Sequence, residues 1–314
     1  MGAELETVMA HTLTRERFEA ARAFVETNGR PLDAALLRHG LGQGTAEAVM
    51  VALIAFQNPD GGFGGGLEPD MRSAASTGIA ASIALRVLTR IDAPAHHPTV
   101  VAAIGWLDAA LDRDNGVWPI VGPDVELAPH APWWTWSPDL AASWNGFRFN
   151  PTAEILAHLC RYRAATPAGV VESAEAGLRR ALAETKLLEG AYDLKCAIRL
   201  AQADGLPADL AKPLDALVRR SIAAHDPDDE HASPFDAAAT PSSPFADLVD
   251  GHIEAALTGL IESQAEDGGW IWNPDWHWGY VDKKAWAEAH RDWRGQLTRE
   301  TLETLLAYGR VEGR

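Results

Sequence analysis

The strongest constraint on this chain is a sentence written twice. Residues 53–64 read LIAFQNPDGGFG and residues 260–272 read LIESQAEDGGWIW. Each copy ends an apolar helical pattern with a glutamine, then places three residues, Gly-Gly and an aromatic. Glycine permits the left-handed backbone of a helix stop, and the aromatic staples the turn to its surroundings. A weaker copy without the glutamine, GWLDAALDRDNGVWPI, covers 105–120, and a remnant, ETKLLEGAYDLKCAIRL, covers 184–200. A second helical pattern follows each copy, at about 74–90, 151–164, 191–203 and 299–309. The unit is therefore helix, tight turn, helix, recurring from about 45 to 310, and no window alternates as a strand. Such hairpins bury their faces by stacking on one another, as a solenoid or a closed ring. The chain is expected to be all-α, with residues 1–314 forming one domain.

Local patterns sharpen this expectation. The run at 46–57 is apolar nearly all round, which predicts burial on every side. Ile253, Leu257, Leu260, Ile261 and Gln264 share one face of a helix over 252–264. Leu302, Leu305 and Leu306 do so over 299–309, with Thr298 as N-cap. Asn150 is the expected N-cap of the helix at 151–164, with Pro151 at its first position.

The Gln-x3-Gly-Gly-aromatic turn, Gln57–Phe63 and Gln264–Trp270, resembles the QW repeat of the terpene cyclase and prenyltransferase superfamily. That resemblance implies an α/α toroid of helical hairpins, here of single-domain length. It also implies isoprenoid chemistry, foremost an acid-initiated cyclisation through carbocations in an aromatic-lined cavity. In a ring of hairpins the second helices line the interior, and the loops before them surround one mouth. Glu68, Asp70 and Arg72 come from the first loop. Trp136, Trp144 and Asn150 come from the second, Tyr192 and Asp193 from the third, and Trp272, Asp275, Trp276 and Trp278 from the last.

Acid-initiated cyclisation needs a carboxylic acid that stays protonated. Burial and a neighbouring carboxylate both raise its pKa, and aromatic walls stabilise the cation. Glu68 and Asp70, two residues apart at the mouth, are the expected acid pair; the alternative is that they only complement the dipole of the helix that follows. The superfamily's Asp-x-Asp-Asp signature has a literal match at Asp226, Asp228 and Asp229. It leads into a loop-like stretch rather than an apolar helix, which makes it the weaker candidate. Arg72, Trp136, Trp144, Asn150, Tyr192, Asp193, Trp272, Asp275, Trp276 and Trp278 are the expected substrate contacts.

No metal or other cofactor is expected. The prenyltransferase zinc set would need Asp and Cys two apart, whereas Asp193 and Cys196 are three apart, with His252 distant. The glycine-rich stretch lacks the Lys and Ser/Thr of a phosphate loop, and its carboxylates would repel phosphate. Twelve tryptophans, clustered among Pro, Asn, Asp and Gly, suit a cavity lining as well as a core. With 27 basic against 44 acidic residues and a net charge of −17, nucleic acid is excluded as a partner. No apolar run is long enough to span a bilayer. The acidic N-terminus lacks a signal-peptide layout, and two cysteines make no disulfide framework, so a reducing cytoplasm is expected. The expected partner is a small apolar, isoprenoid-like ligand, whose delivery would favour peripheral contact with a membrane. Two other functions use the same features: a glycan-processing toroid enzyme, needing two carboxyls about 5 or 6.5–9.5 Å apart, and a non-catalytic apolar-ligand binder.

Overall fold

The computed structural model describes residues 11–143, 146–226, 229, 231–271 and 282–314. Among them no strand forms, and helices follow in order: α1 Arg15–Asn28, α2 Pro31–Gly40, α3 Ala46–Ile54, α4 Gly78–Arg90, α5 Pro98–Ala110, α6 Pro138–Ser143, α7 Thr152–Arg161, α8 Ala168–Glu184, α9 Ala191–Ala201, α10 Ala208–Ala224, α11 Pro234–Ala237, α12 Asp250–Glu262 and α13 Lys283–Ala307. None is long and apolar enough to cross a membrane. Threonine hydroxyls start three of these helices. Thr14, Thr45 and Thr77 each accept an otherwise unpartnered first-turn N–H.

The two full copies of the repeated sentence fold alike. Gln57 donates from Nε2 to Gly61 O and to Thr99 O, in the first turn of α5. Gln264 donates to Gly268 O and to Arg17 O, in the first turn of α1. The glutamine thus ties its own turn to the next helix, rather than satisfying carbonyls of the helix it ends. Gly61 and Gly268 lie at φ 92° and 89°. A Cβ there would sit 2.4 Å from Ala102 O and 2.7 Å from Ala20 O. Only glycine offers both that backbone and that approach. The weaker copy keeps the aromatic anchor. Trp118 Nε1 donates to Leu107 O at 2.8 Å, as Trp270 Nε1 does to Leu260 O at 2.7 Å.

Helices pack mainly on near neighbours in the chain. α2 packs on α3, α3 on α4, α4 on α5 and α7, α7 on α8 and α9, α9 on α10 and α11, and α11 on α12. α13 packs on α1 and α2, which brings the two ends of the chain together. Leu13 and Val311 pair beside them through Leu13 N–H to Arg310 O and Glu312 N–H to Leu13 O. One large apolar cluster runs from α2 to α10, and a second joins α1, α2, α12 and α13.

Three local expectations are corrected. α3 is not buried all round: Val51 and Ile54 are exposed, because only its Val49, Met50 and Leu53 face meets α2 and α4. Asn150 is not an N-cap, since α7 begins at Thr152 and Pro151 is the flanking residue. Thr298 is not an N-cap either. α13 starts at Lys283, capped by Asp282, and Thr298 lies buried within it, its hydroxyl accepting the Trp270 N–H.

Candidate active site

Glu68 and Asp70 sit on a loop that is clamped on both sides. Arg72 N–H donates to Pro129 O at 2.9 Å and Ala131 N–H to Asp70 O at 2.8 Å, fixing the loop against residues 129–131. From the other side Arg30 Nη1 reaches Gly66 O at 3.0 Å and Leu67 O at 2.8 Å. Arg30 is itself held by Asp33 at 2.7 Å and Gln296 at 2.8 Å. α4 starts only at Gly78, capped by Thr77, so the carboxyls do not serve its N-terminus. The dipole explanation for them therefore falls away.

Asp70 is 2% exposed, and Trp134 Nε1 donates to its Oδ1 at 2.6 Å. Burial pushes its pKa up to about 6, restrained by the indole N–H groups of Trp134 and Trp293 and by Glu68. Burial, and then the charge of Asp70, hold Glu68 well above the usual carboxylate range, against the pull of Arg30 and Arg86. Glu68 and Asp70 lie close enough for each to act on the other's titration. Two neighbouring carboxyls cannot both ionise easily, so the pair holds its last proton to higher pH than a free carboxyl does.

The remaining expected residues separate into groups. Tyr192 lies on α9 and is 48% exposed. Burial of its hydroxyl, then Glu68 and Asp70, push its pKa up to about 12, which puts it in the field of the acid pair. Asp193 accepts the Asn150 N–H at 2.8 Å, and burial raises its pKa. Trp136 packs with Trp134, Val121 and Val125 around Met71, behind the pair. Arg72 gives both Nη groups to Asp292 Oδ2 at 2.9 Å. Trp144, Trp272, Asp275, Trp276, Trp278 and Asp228 lie outside the described residues. Asp226 is exposed beyond α10, and Asp229 accepts the His231 N–H, which holds it below the usual range. Asp193, Cys196 and His252 do not assemble; among the described residues no group of three His, Cys, Asp or Glu could hold a metal.

The sequence reading missed a charged wall beside the pair. Glu154 of α7 is 2% exposed in its side chain and takes Arg86 of α4 at 2.6 Å and Arg199 of α9 at 2.7 Å. Burial would raise Glu154, but Arg199 and Arg86 outweigh it and hold it well below the usual range. Lys195 meets Asp236 of α11 at 3.3 Å. Arg90, one turn after Arg86, forms a two-pronged pair with Glu303 of α13 at 2.8 Å. Arg299 joins Glu303 to Asp33. The signal was present as charges four apart on otherwise apolar helices: Arg86 and Arg90 on α4, Glu154 and His158 on α7. Comparison of the chain with protein-family models and with curated proteins returned no match.

Proposed function

We propose that this chain is an acid-initiated isoprenoid-processing enzyme, most simply a cyclase, built as an α/α toroid of helical hairpins. The matching glutamine turns, the neighbour-to-neighbour helix contacts and the meeting of α1 and α2 with α13 support the toroid. One observation carries the chemistry: Asp70 is buried under the Trp134 indole N–H, with the carboxyl of Glu68 two residues away on the same clamped loop.

In this reading the proton leaves the Glu68–Asp70 pair for an alkene carbon. A C–H bond forms as the π bond breaks, and the pair is left ionised, steadied by the Trp134 N–H. The carbocation is stabilised by aromatic faces such as Tyr192. Ring closure consumes further π bonds, and a final C–H loss restores the proton, so the net change is an isomerisation with no co-reactant. A passive binder would gain nothing from a carboxyl held above its ordinary pKa.

The test is incubation with a panel of linear isoprenoids, their alcohols and diphosphates in deuterated water. Products are analysed by mass spectrometry. The reading expects a cyclised isomer carrying deuterium, lost in Asp70→Asn and in Glu68→Gln. Turnover that survives both substitutions would remove the pair from the mechanism.

A further inference from the structure

Arg86 and Arg199 are held in an unusual way. Each spends a single nitrogen on Glu154: Arg86 Nε on Oε1 at 2.6 Å, Arg199 Nη1 on Oε2 at 2.7 Å. The carboxylate between them is 2% exposed, whereas the two arginine side chains are 36% and 35% exposed. Among the described residues nothing else takes the Nη groups of Arg86 or Nε and Nη2 of Arg199. His158, beneath Glu154, is kept neutral by burial and bonds through Nδ1 to Thr89 Oγ1 at 3.1 Å. Two guanidiniums on one carboxylate leave one positive charge in excess. Asp236, whose charge also acts on Arg199, is engaged by Lys195 at 3.3 Å.

A buried carboxylate that splays two arginines with their remaining N–H groups outward is a receptor for an oxyanion. Guanidinium forks match carboxylate and phosphate oxygens bidentately. Arg86 is close enough to Glu68 to act on its charge, so a bound oxyanion would lie next to the acid pair. We propose that Arg86 and Arg199, oriented by Glu154, bind an oxyanion group, phosphate or carboxylate, on the molecule that the Glu68–Asp70 pair protonates. This rests on the pair being the reaction site, but the oxyanion site is testable without turnover.

The experiment is isothermal titration of the whole protein with inorganic pyrophosphate, inorganic phosphate and acetate at low salt. Wild type is expected to bind at least one of them, more weakly as salt rises. Preference for the phosphates or for acetate identifies the group. Arg199→Met and Arg86→Met should each weaken binding at least about tenfold. If either methionine variant fails to fold, Arg199→Lys decides: it keeps the charge on Glu154, loses the fork, and should bind measurably more weakly than wild type. No binding by wild type overturns the oxyanion site and leaves the acid pair standing. Binding unchanged in the arginine variants overturns the assignment of these residues.

Discussion

At the scale of single residues, the acid pair and Glu154 oppose each other in their pH dependence. Asp70 has a folded pKa of about 6 against an ordinary 3.8. Between those values the native state binds more protons than the unfolded chain, so stability falls as pH rises through that window. Asp70→Asn removes this cost and still offers an oxygen to Trp134. Its melting temperature should exceed that of wild type at pH 7.5, with the gap closing towards pH 4. This is the stability cost a functional group often carries. Glu154 behaves oppositely. Its folded pKa lies well below 4.5, so its contribution is full above that value and is lost as pH falls towards the folded pKa. Glu154→Gln leaves Arg86 and Arg199 without their counter-charge. It should cost about 1.5–3 kcal/mol at pH 7 in urea unfolding, since the arginines it releases stay part-exposed.

At the scale of elements, the repeated turn is the unit that makes the fold. Gly61 and Gly65 both have positive φ, but a Cβ at Gly61 meets Ala102 O at 2.4 Å and one at Gly65 meets nothing within 4 Å. Gly65→Ala should therefore cost about 1–2 kcal/mol, the backbone penalty alone. Gly61→Ala should cost clearly more in denaturant unfolding, because the α5 backbone must move. Gln57→Ala, losing the Gly61 O and Thr99 O bonds, should cost about 1–3 kcal/mol in the same assay. These turns were legible in the sequence because their chemistry is local: the glutamine, both glycines and the aromatic fall within seven consecutive positions. Helices α4, α7 and α9 begin within about four residues of where the pattern placed them, for the same reason. α13 was read short because its apolar period marks only residues 299–309, while its earlier turns bury small and polar residues such as Ala285, Ala289 and Asp292. α3 was misjudged because apolar composition cannot tell an inner face from an outer one. The charged wall was illegible as a wall. Glu154 meets partners 68 and 45 positions away, and only the packing of α4 and α9 on α7 joins them.

At the scale of the molecule, the first described helices and the last are joined by charge as well as by packing. Asp33 of α2 is fully buried between Arg30 and Arg299, and Arg299 carries the connection along α13 to Glu303 and so to Arg90 of α4. The same Arg30 grips the loop that presents Glu68. Docking of the first helices on the last is thereby linked to the geometry of the acid pair. Asp33→Ala should destabilise the protein by about 3–5 kcal/mol, since two buried arginines lose their shared partner, and chemical unfolding will show it. The proposed cyclase rests on a proton that the pair holds to higher pH than a free carboxyl does, and that proton can be observed. The direct measurement is a pH titration of the side-chain carboxyl carbons by NMR, with Glu68 and Asp70 assigned from Glu68→Gln and Asp70→Asn. The account predicts that Asp70 titrates near pH 6 and that Glu68 titrates well above its ordinary value. Midpoints for both groups at the ordinary carboxylate values of 3.8 and 4.5 would contradict it.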